Sequence, residues 1–173
     1  KAGYLTNETI FELTTLPKRL AVIGGGPIGC EMAQSFRRFG TEVTLLDKDG
    51  HVLVREDADA AEIVQQAMLR HGVQLEFHTQ IEKVERRGNE RVITFQSNGT
   101  TKSLVVDEVL VAAGRAPNVN GLGLEAAGVK FEKTGVQVDD KLRTTNPKIF
   151  ACGDVASRFQ FTHTADAQAR IVI

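Results

Sequence analysis

The chain has 173 residues, enough for one ordinary domain with its own core. Its 42% hydrophobic and 25% charged residues are a globular mix rather than a disordered one. With 21 basic against 22 acidic residues the net charge is −1, so no global field favours nucleic acid or an anionic lipid surface, and no apolar run approaches the roughly 20 residues of a membrane helix.

The chain opens on Lys1-Ala2-Gly3-Tyr4, neither an initiator methionine nor a signal peptide, which reads as a cut inside a longer chain. Thr6 to Leu16 predicts a short helix or turn, with Thr6 and Asn7 as caps, and Pro17 marks a boundary. Leu20 to Ile23 is a compact apolar run, as expected of a parallel strand buried on both faces. Pro27 then stands at a first-turn position where its missing N–H costs nothing. The helix that follows places Ile28, Met32, Phe36 and Phe39 on one stripe, with Glu31, Arg37 and Arg38 away from it, and ends at Gly40. Glu42 to Leu46 is the second strand, Asp59 to Arg70 a second helix closed by Gly72, and Val73 to Phe77 the third strand. This βαβαβ order is half of a doubly wound α/β sheet.

The pattern then changes. Ile81 to Arg87, Arg91 to Gln96 and Thr101 to Val106 are strand-like stretches separated by Gly88-Asn89 and Asn98-Gly99, which predicts an antiparallel meander in place of a crossover helix. Glu108 to Ala112 returns as an apolar strand ending at Ala113-Gly114-Arg115. Beyond Ala116, Leu122 to Ala127 reads as one or two helical turns, Val136 to Asp139 and Ile149 to Ala151 as short strands, and Thr162 or His163 as the start of a last helix. That helix stops on the apolar Ile171-Val172-Ile173 without a capping glycine, so the end too reads as a cut.

Chemistry concentrates in Gly24-Gly25-Gly26-Pro27-Ile28-Gly29, a GxGxxG placed after a strand and opening a helix. Gly24 permits the tight turn, Gly26 lets a pyrophosphate approach the backbone, and Gly29 lets the helix lie close on the strand. The free N–H groups of the helix start then bind the phosphates. Asp47 closes the second strand, where a carboxylate accepts from the adenosine ribose hydroxyls and repels a 2′-phosphate, so NAD is preferred over NADP; Lys48 beside it is a cation that could tolerate the phosphate. Cys30 and Cys152 form no CxxC pair and have no companions at zinc spacing, so they read as small buried hydrophobes with no metal, a usage that fits a reducing cytoplasm.

Four blocks together resemble one family: YLTNETIFELTTLPKRLAVIGGGPIGCEMAQSF, the VTLLD strand end, VLVAAGRAPN, and TTNPKIFACGDVA followed by FTHTADAQARI. The chain resembles the central stretch of FAD-dependent pyridine nucleotide–disulfide oxidoreductases, the family of lipoamide dehydrogenase, glutathione reductase and mercuric reductase. The resemblance implies a lead-in segment at 1–15, an NAD(P)-binding domain at 16–115 and the closing, incomplete part of an FAD domain at 116–173. It implies that Gly24, Gly25, Gly26, Pro27, Ile28, Gly29 and Cys30 surround the pyrophosphate, that Asp47 takes the ribose, and that Ile81 lies against the adenine. By the same likeness Gly114 approaches the cofactor, and Glu31 matches the catalytic glutamate that pairs with a lysine of the flavin domain beside the nicotinamide. Asp154 matches the aspartate on the flavin ribityl chain, and Gln160, Phe161, Thr162 and His163 match the segment whose helix start faces the flavin ring. Pro27 replaces an aromatic gate found in some relatives, Asp47 is one methylene shorter than the usual glutamate, and Ile81 replaces a valine.

The family's first flavin-binding fingerprint, redox cysteine pair and dimerisation domain match nothing in this chain. The partners implied are therefore those FAD and dimerisation domains, with a homodimer as the intact form, hydride passing from NADH to FAD and on to a disulfide or thiol-bound acceptor. Two other readings stay open: an NADH oxidase or ferredoxin-reductase-like flavoenzyme lacking the redox disulfide, and a non-catalytic nucleotide-binding module.

Overall fold

A computed structural model describes residues 2–173, which fall into two units, one ending at Gly114 and the other Arg115–Ile173. In chain order the first unit runs through a 3₁₀ turn at Thr9–Glu12, then β1 Arg19–Ile23, α1 Pro27–Arg38, β2 Glu42–Leu46, α2 Ala58–Arg70 and β3 Gln74–Glu76. It continues with β4 Thr79–Arg87, β5 Glu90–Ser97, β6 Thr100–Val106 and β7 Glu108–Val111. Four of these strands form a parallel sheet in the order β3-β2-β1-β7, while β4, β5 and β6 form a separate antiparallel meander.

Strand alternation sorts the core into two layers. Leu20 and Val22 of β1, Val43 and Leu45 of β2 and Leu110 of β7 pack with Cys30 and Ala33 of α1 and Met68 of α2. Ala21, Leu46 and Val109 point the other way and meet Ile93, Phe95 and Val106 of the meander. The sheet is thus covered on both faces, by helices on one and the meander on the other, which is why its strands read as continuous apolar runs. The lead-in segment also joins this unit. Leu5 donates to Val109 O at 2.7 Å and accepts from Val111 N–H at 2.9 Å, and Ile10 is buried in the helix-side core. Thr6 Oγ1 accepts from the N–H groups of Glu8 and Thr9, each at 3.3 Å, but the N-cap position of the 3₁₀ turn is Glu8, which makes no side-chain cap bond, so neither Thr6 nor Asn7 is the cap expected.

Both helices end on the same device. Gly40 (φ +103) donates to Arg37 O and Thr41 donates to Phe36 O after α1; Gly72 (φ +83) donates to Leu69 O and Val73 to Met68 O after α2. These paired bonds are the Schellman closure that left-handed glycine makes cheap. The buried face of α1 differs from the expected stripe. Gly29, Cys30 and Ala33 are its buried residues, Met32 and Phe36 are half-buried, and Phe39 stays 69% exposed. Small residues take the sheet face because the glycine turn draws the helix axis close to β1, leaving no room there for the larger side chains.

The second unit is sparser in regular structure. A hairpin of β8 Phe131–Glu132 and β9 Gly135–Val136 precedes a 3₁₀ turn at Gly153–Val155 and α3 Thr162–Val172. Val119, Val129 and Val136 form its small buried core. Leu122 to Ala127 makes one helical turn, the shorter of the two lengths expected, closed through Ala127 N–H to Gly123 O, with Gly121, Gly123 and Gly128 all at positive φ. The expected strand at Val136–Asp139 is shifted to Gly135–Val136, and Ile149–Ala151 contributes only an isolated bridge from Phe150 to Arg143.

Candidate dinucleotide site

The glycine turn sits where β1 ends and α1 begins, at the carboxyl edge of the parallel sheet. Gly24 holds φ +111 and donates to Leu46 O at 2.9 Å, so the turn is fastened to the end of β2. A Cβ on Gly24 would lie 2.6 Å from Ala112 O, so only glycine fits between the turn and the end of β7. A Cβ on Gly29 would run into the carbonyl oxygen of Gly24, which makes this glycine the one that lets α1 sit close. Gly26 is the N-cap of α1 and faces open space, with nothing within 4 Å of a built Cβ. Pro27 is the first helical residue and Ile28 the second, both outside the buried core.

Asp47 is half-buried and bound on both oxygens. Oδ2 accepts from Gly25 N–H and Oδ1 from Asp49 N–H at 2.8 Å. The Asp47 carbonyl accepts both the N–H and the hydroxyl of Thr79, each at 2.9 Å, which straps the loop after β2 to the start of β4. Each carboxylate oxygen keeps a further lone pair for an incoming hydroxyl. Lys48 extends into solvent and pairs with Asp49 at 3.2 Å. Cys30 is buried, its Sγ 3.4 Å from Gly25 O, and burial, with Asp47 and Glu31 nearby, pushes its thiol up to about 12. It is a neutral packing group at any physiological pH.

The remaining expected residues lie apart from this cluster. Glu31 is exposed and is the fifth residue of α1, past its first turn, so the helix dipole acts on it only weakly. Ile81, half-buried at a bulge in β4, packs on the core layer of Ala21, Leu46 and Phe95. Gly114 takes φ +132 just past β7, where a Cβ would meet nothing. A concavity of about 550 Å³, lined by residues including Leu16, Pro17, Asp107 and Glu108, sits at the opposite ends of β1 and β7 from the turn.

In the second unit, one arginine gathers two of the expected residues. Arg115 Nη1 lies 3.3 Å from Asp154 Oδ2 and donates to Gln160 O at 2.9 Å. Phe161 stands at the N-cap position of α3 without a side-chain cap bond and stacks on His163, with ring centroids 5.3 Å apart and planes within 8°; Thr162 begins the helix. The turn before it is tied to the same helix, because Gly153 donates to Gln168 Oε1 at 2.7 Å. Arg115, Thr79, Val52 and Leu53 were not singled out by the sequence. Their roles depend on contacts across long sequence separations, and only Arg115, next to Gly114, stands beside a recognised signal.

No group of three or more His, Cys, Asp or Glu residues among those described could hold a metal ion, and no described helix is long and apolar enough to cross a membrane. The family model of the pyridine nucleotide-disulphide oxidoreductases matches residues 1–169. The chain belongs to this family. Its relatives include a mercuric reductase of Lysinibacillus sphaericus, 38% identical over 173 residues, and a dihydrolipoyl dehydrogenase of Geobacillus stearothermophilus, 36% identical over 168 residues. The first alignment covers 99% of this chain and 32% of the relative, the second 96% and 36%. The chain therefore spans about a third of the length of these relatives. Among solved structures, the HOCl-induced flavoprotein disulfide reductase RclA from Escherichia coli superposes with a TM-score of 0.88 at 34% identity, over 98% of this chain and 38% of that one. Pyridine nucleotide-disulphide oxidoreductases are flavin- and NAD(P)-dependent enzymes, and the α/β fold described above is theirs.

Proposed function

We propose that this chain supplies the nicotinamide-dinucleotide site of a flavin-dependent disulfide oxidoreductase, in which NADH passes a hydride to FAD and the electrons continue to a disulfide or a thiol-bound acceptor. The observation that carries this is the glycine turn itself. Gly24 is fixed against two strand ends, Gly26 is open, and the first turn of α1 presents unpaired N–H groups beside the Asp47 carboxylate. Gly24 to Gly29 take the pyrophosphate, with Cys30 packed beneath the turn, Asp47 takes the adenosine ribose, and Ile81 and Gly114 border the cofactor. Glu31, exposed on α1, is free to reach a partner beside the nicotinamide.

For the absent flavin, the second unit's residues fit the closing part of a site: Arg115 draws Asp154 and the Gln160 carbonyl together just ahead of the helix that starts at Thr162. Asp154 would hold the ribityl chain, and the α3 start, with Phe161 and His163, would face the ring. Bound there, FAD would supply the two-electron chemistry, and this chain would contribute positioning and specificity. The partners are the remaining FAD and dimerisation domains, the intact enzyme working as a cytoplasmic homodimer.

NAD is the preferred dinucleotide, because the Asp47 carboxylate occupies the position a 2′-phosphate would approach. Titrating the chain with NADH and with NADPH, followed by nicotinamide fluorescence, tests both points. Tighter binding of NADH supports the reading; no binding of either, or tighter binding of NADPH, overturns it.

A further inference from the structure

We infer that Leu53 is a positioning residue for pyrophosphate binding, acting through its backbone N–H on the orientation of the Gly25–Gly26 peptide. The inference rests on the proposed dinucleotide site. Three glycines in succession leave the peptide planes of the turn free to flip at little steric cost, so some neighbour has to select one orientation. In a trans peptide the carbonyl of residue i and the N–H of residue i+1 point in opposite directions. The Gly25 carbonyl accepts from Leu53 N–H at 2.8 Å, with Cys30 Sγ at 3.4 Å as a weaker second donor. That contact aims the Gly26 N–H away from the loop that follows β2. It leaves this N–H with the free amides at the start of α1.

The loop that delivers Leu53 is built for the contact. Leu53 takes φ +55, a conformation in which a bulky L-residue is a genuine outlier. Such strain persists only where the surroundings over-determine it, and here they do. Val52 is fully buried against Gly25, its N–H donates to Gln65 Oε1 of α2 at 3.3 Å, and the Leu53 carbonyl accepts from Glu56 N–H at 2.9 Å. Gly25 itself cannot carry a side chain without pressing on this arrangement, since a Cβ would lie 3.0 Å from Asp47 Oδ2 and 3.4 Å from Val52 Cα. The loop therefore reads both sides of Gly25: Asp47 takes its N–H, and Leu53 holds its carbonyl.

The test replaces the Leu53 amide by an ester, introducing the α-hydroxy analogue of leucine at position 53 so that the side chain stays and only the N–H is lost. Leu53→Gly, which keeps the N–H and relieves the positive φ, is the second variant. Binding of NADH, ADP and adenosine is measured by ligand-observed NMR, and the Gly26 amide resonance is followed without ligand. Loss of one orienting hydrogen bond is expected to weaken NADH and ADP about five-fold through the smaller competent fraction. Adenosine, which has no phosphate, should bind unchanged, the Leu53→Gly chain should stay within about two-fold of the parent for NADH, and the Gly26 resonance should broaden or double only in the ester. Equal losses for adenosine and NADH, or an ester that binds as the parent does with a single sharp Gly26 signal, would overturn the inference. If the parent chain binds no dinucleotide, the site assignment fails, while the Gly26 resonance still decides whether Leu53 sets the peptide.

Discussion

Replacing Gly24 by alanine separates the structural from the binding glycines of the turn. At Gly24 a side chain meets two penalties at once. The backbone is held at φ +111, outside the ordinary range of L-residues, and the new Cβ would lie 2.6 Å from Ala112 O and 2.9 Å from Ala113 Cα, both main-chain atoms that cannot rotate away. Backbone strain of this kind costs about 1–3 kcal/mol and forced overpacking about 1–3 kcal/mol, so Gly24→Ala should lose about 2–6 kcal/mol. That is a large share of the roughly 5–15 kcal/mol by which domains are stable. At a urea dependence of about 2 kcal/mol per M, the unfolding midpoint of the first unit should fall by about 1–3 M. Gly26→Ala is the counterpart: φ is −74° and nothing lies within 4 Å of the new methyl group, so the midpoint should stay within about 0.3 M while the methyl blocks the pyrophosphate and NADH affinity falls at least ten-fold. Far-UV circular dichroism during urea titration, paired with NADH fluorescence, reads both quantities. A Gly24→Ala chain as stable as the parent, or a Gly26→Ala chain that binds NADH normally, would refute this division of labour.

Three further substitutions probe other parts of the account. Asp47→Asn should weaken NADH by several-fold and narrow the gap to NADPH, measured by parallel titrations; an unchanged ratio would remove Asp47 from cofactor choice. The Arg19 guanidinium, 2.6 Å from Asp107, holds that carboxyl below its ordinary value, so its stabilising contribution is present above the usual carboxylate range and is lost as pH falls through the lowered value; Asp107→Asn should flatten this acid limb in denaturation curves taken below about pH 4. Burial raises the Cys30 thiol from 9.0 to about 12, so the unfolded chain ionises first and stability should decline between those values; Cys30→Ala should make the alkaline slope shallower, and native Cys30 should resist alkylation that modifies Cys152.

The first unit was legible in the sequence because its signals are local and mutually consistent. The apolar run from Leu20 to Ile23, the glycine closures at Gly40 and Gly72, and the turns at Gly88-Asn89 and Asn98-Gly99 each specify a structure within a few residues. The buried face of α1 departs from its apolar periodicity because periodicity weighs large apolar residues, whereas close approach at Gly29 selects small ones, Cys30 and Ala33. Leu122 to Ala127 stays at one helical turn because Gly121, Gly123 and Gly128 at positive φ prevent its extension. The hairpin at Phe131–Val136 leaves no signal in the sequence because strands of two residues carry no alternation. At the site, the glycines and Asp47 are visible as residue types, but the positive φ of Leu53 and the grip of Arg115 on Asp154 arise from tertiary contacts that no local pattern encodes.

The most direct measurement of the central claim is a backbone amide NMR titration of the chain with NADH. The resonances of Gly24, Gly25, Gly26, Ile28, Gly29 and Asp47 should move together along one saturable curve, with smaller changes at Ile81 and Gly114. Resonances that stay fixed at millimolar NADH, or that move mainly elsewhere in the chain, would contradict it.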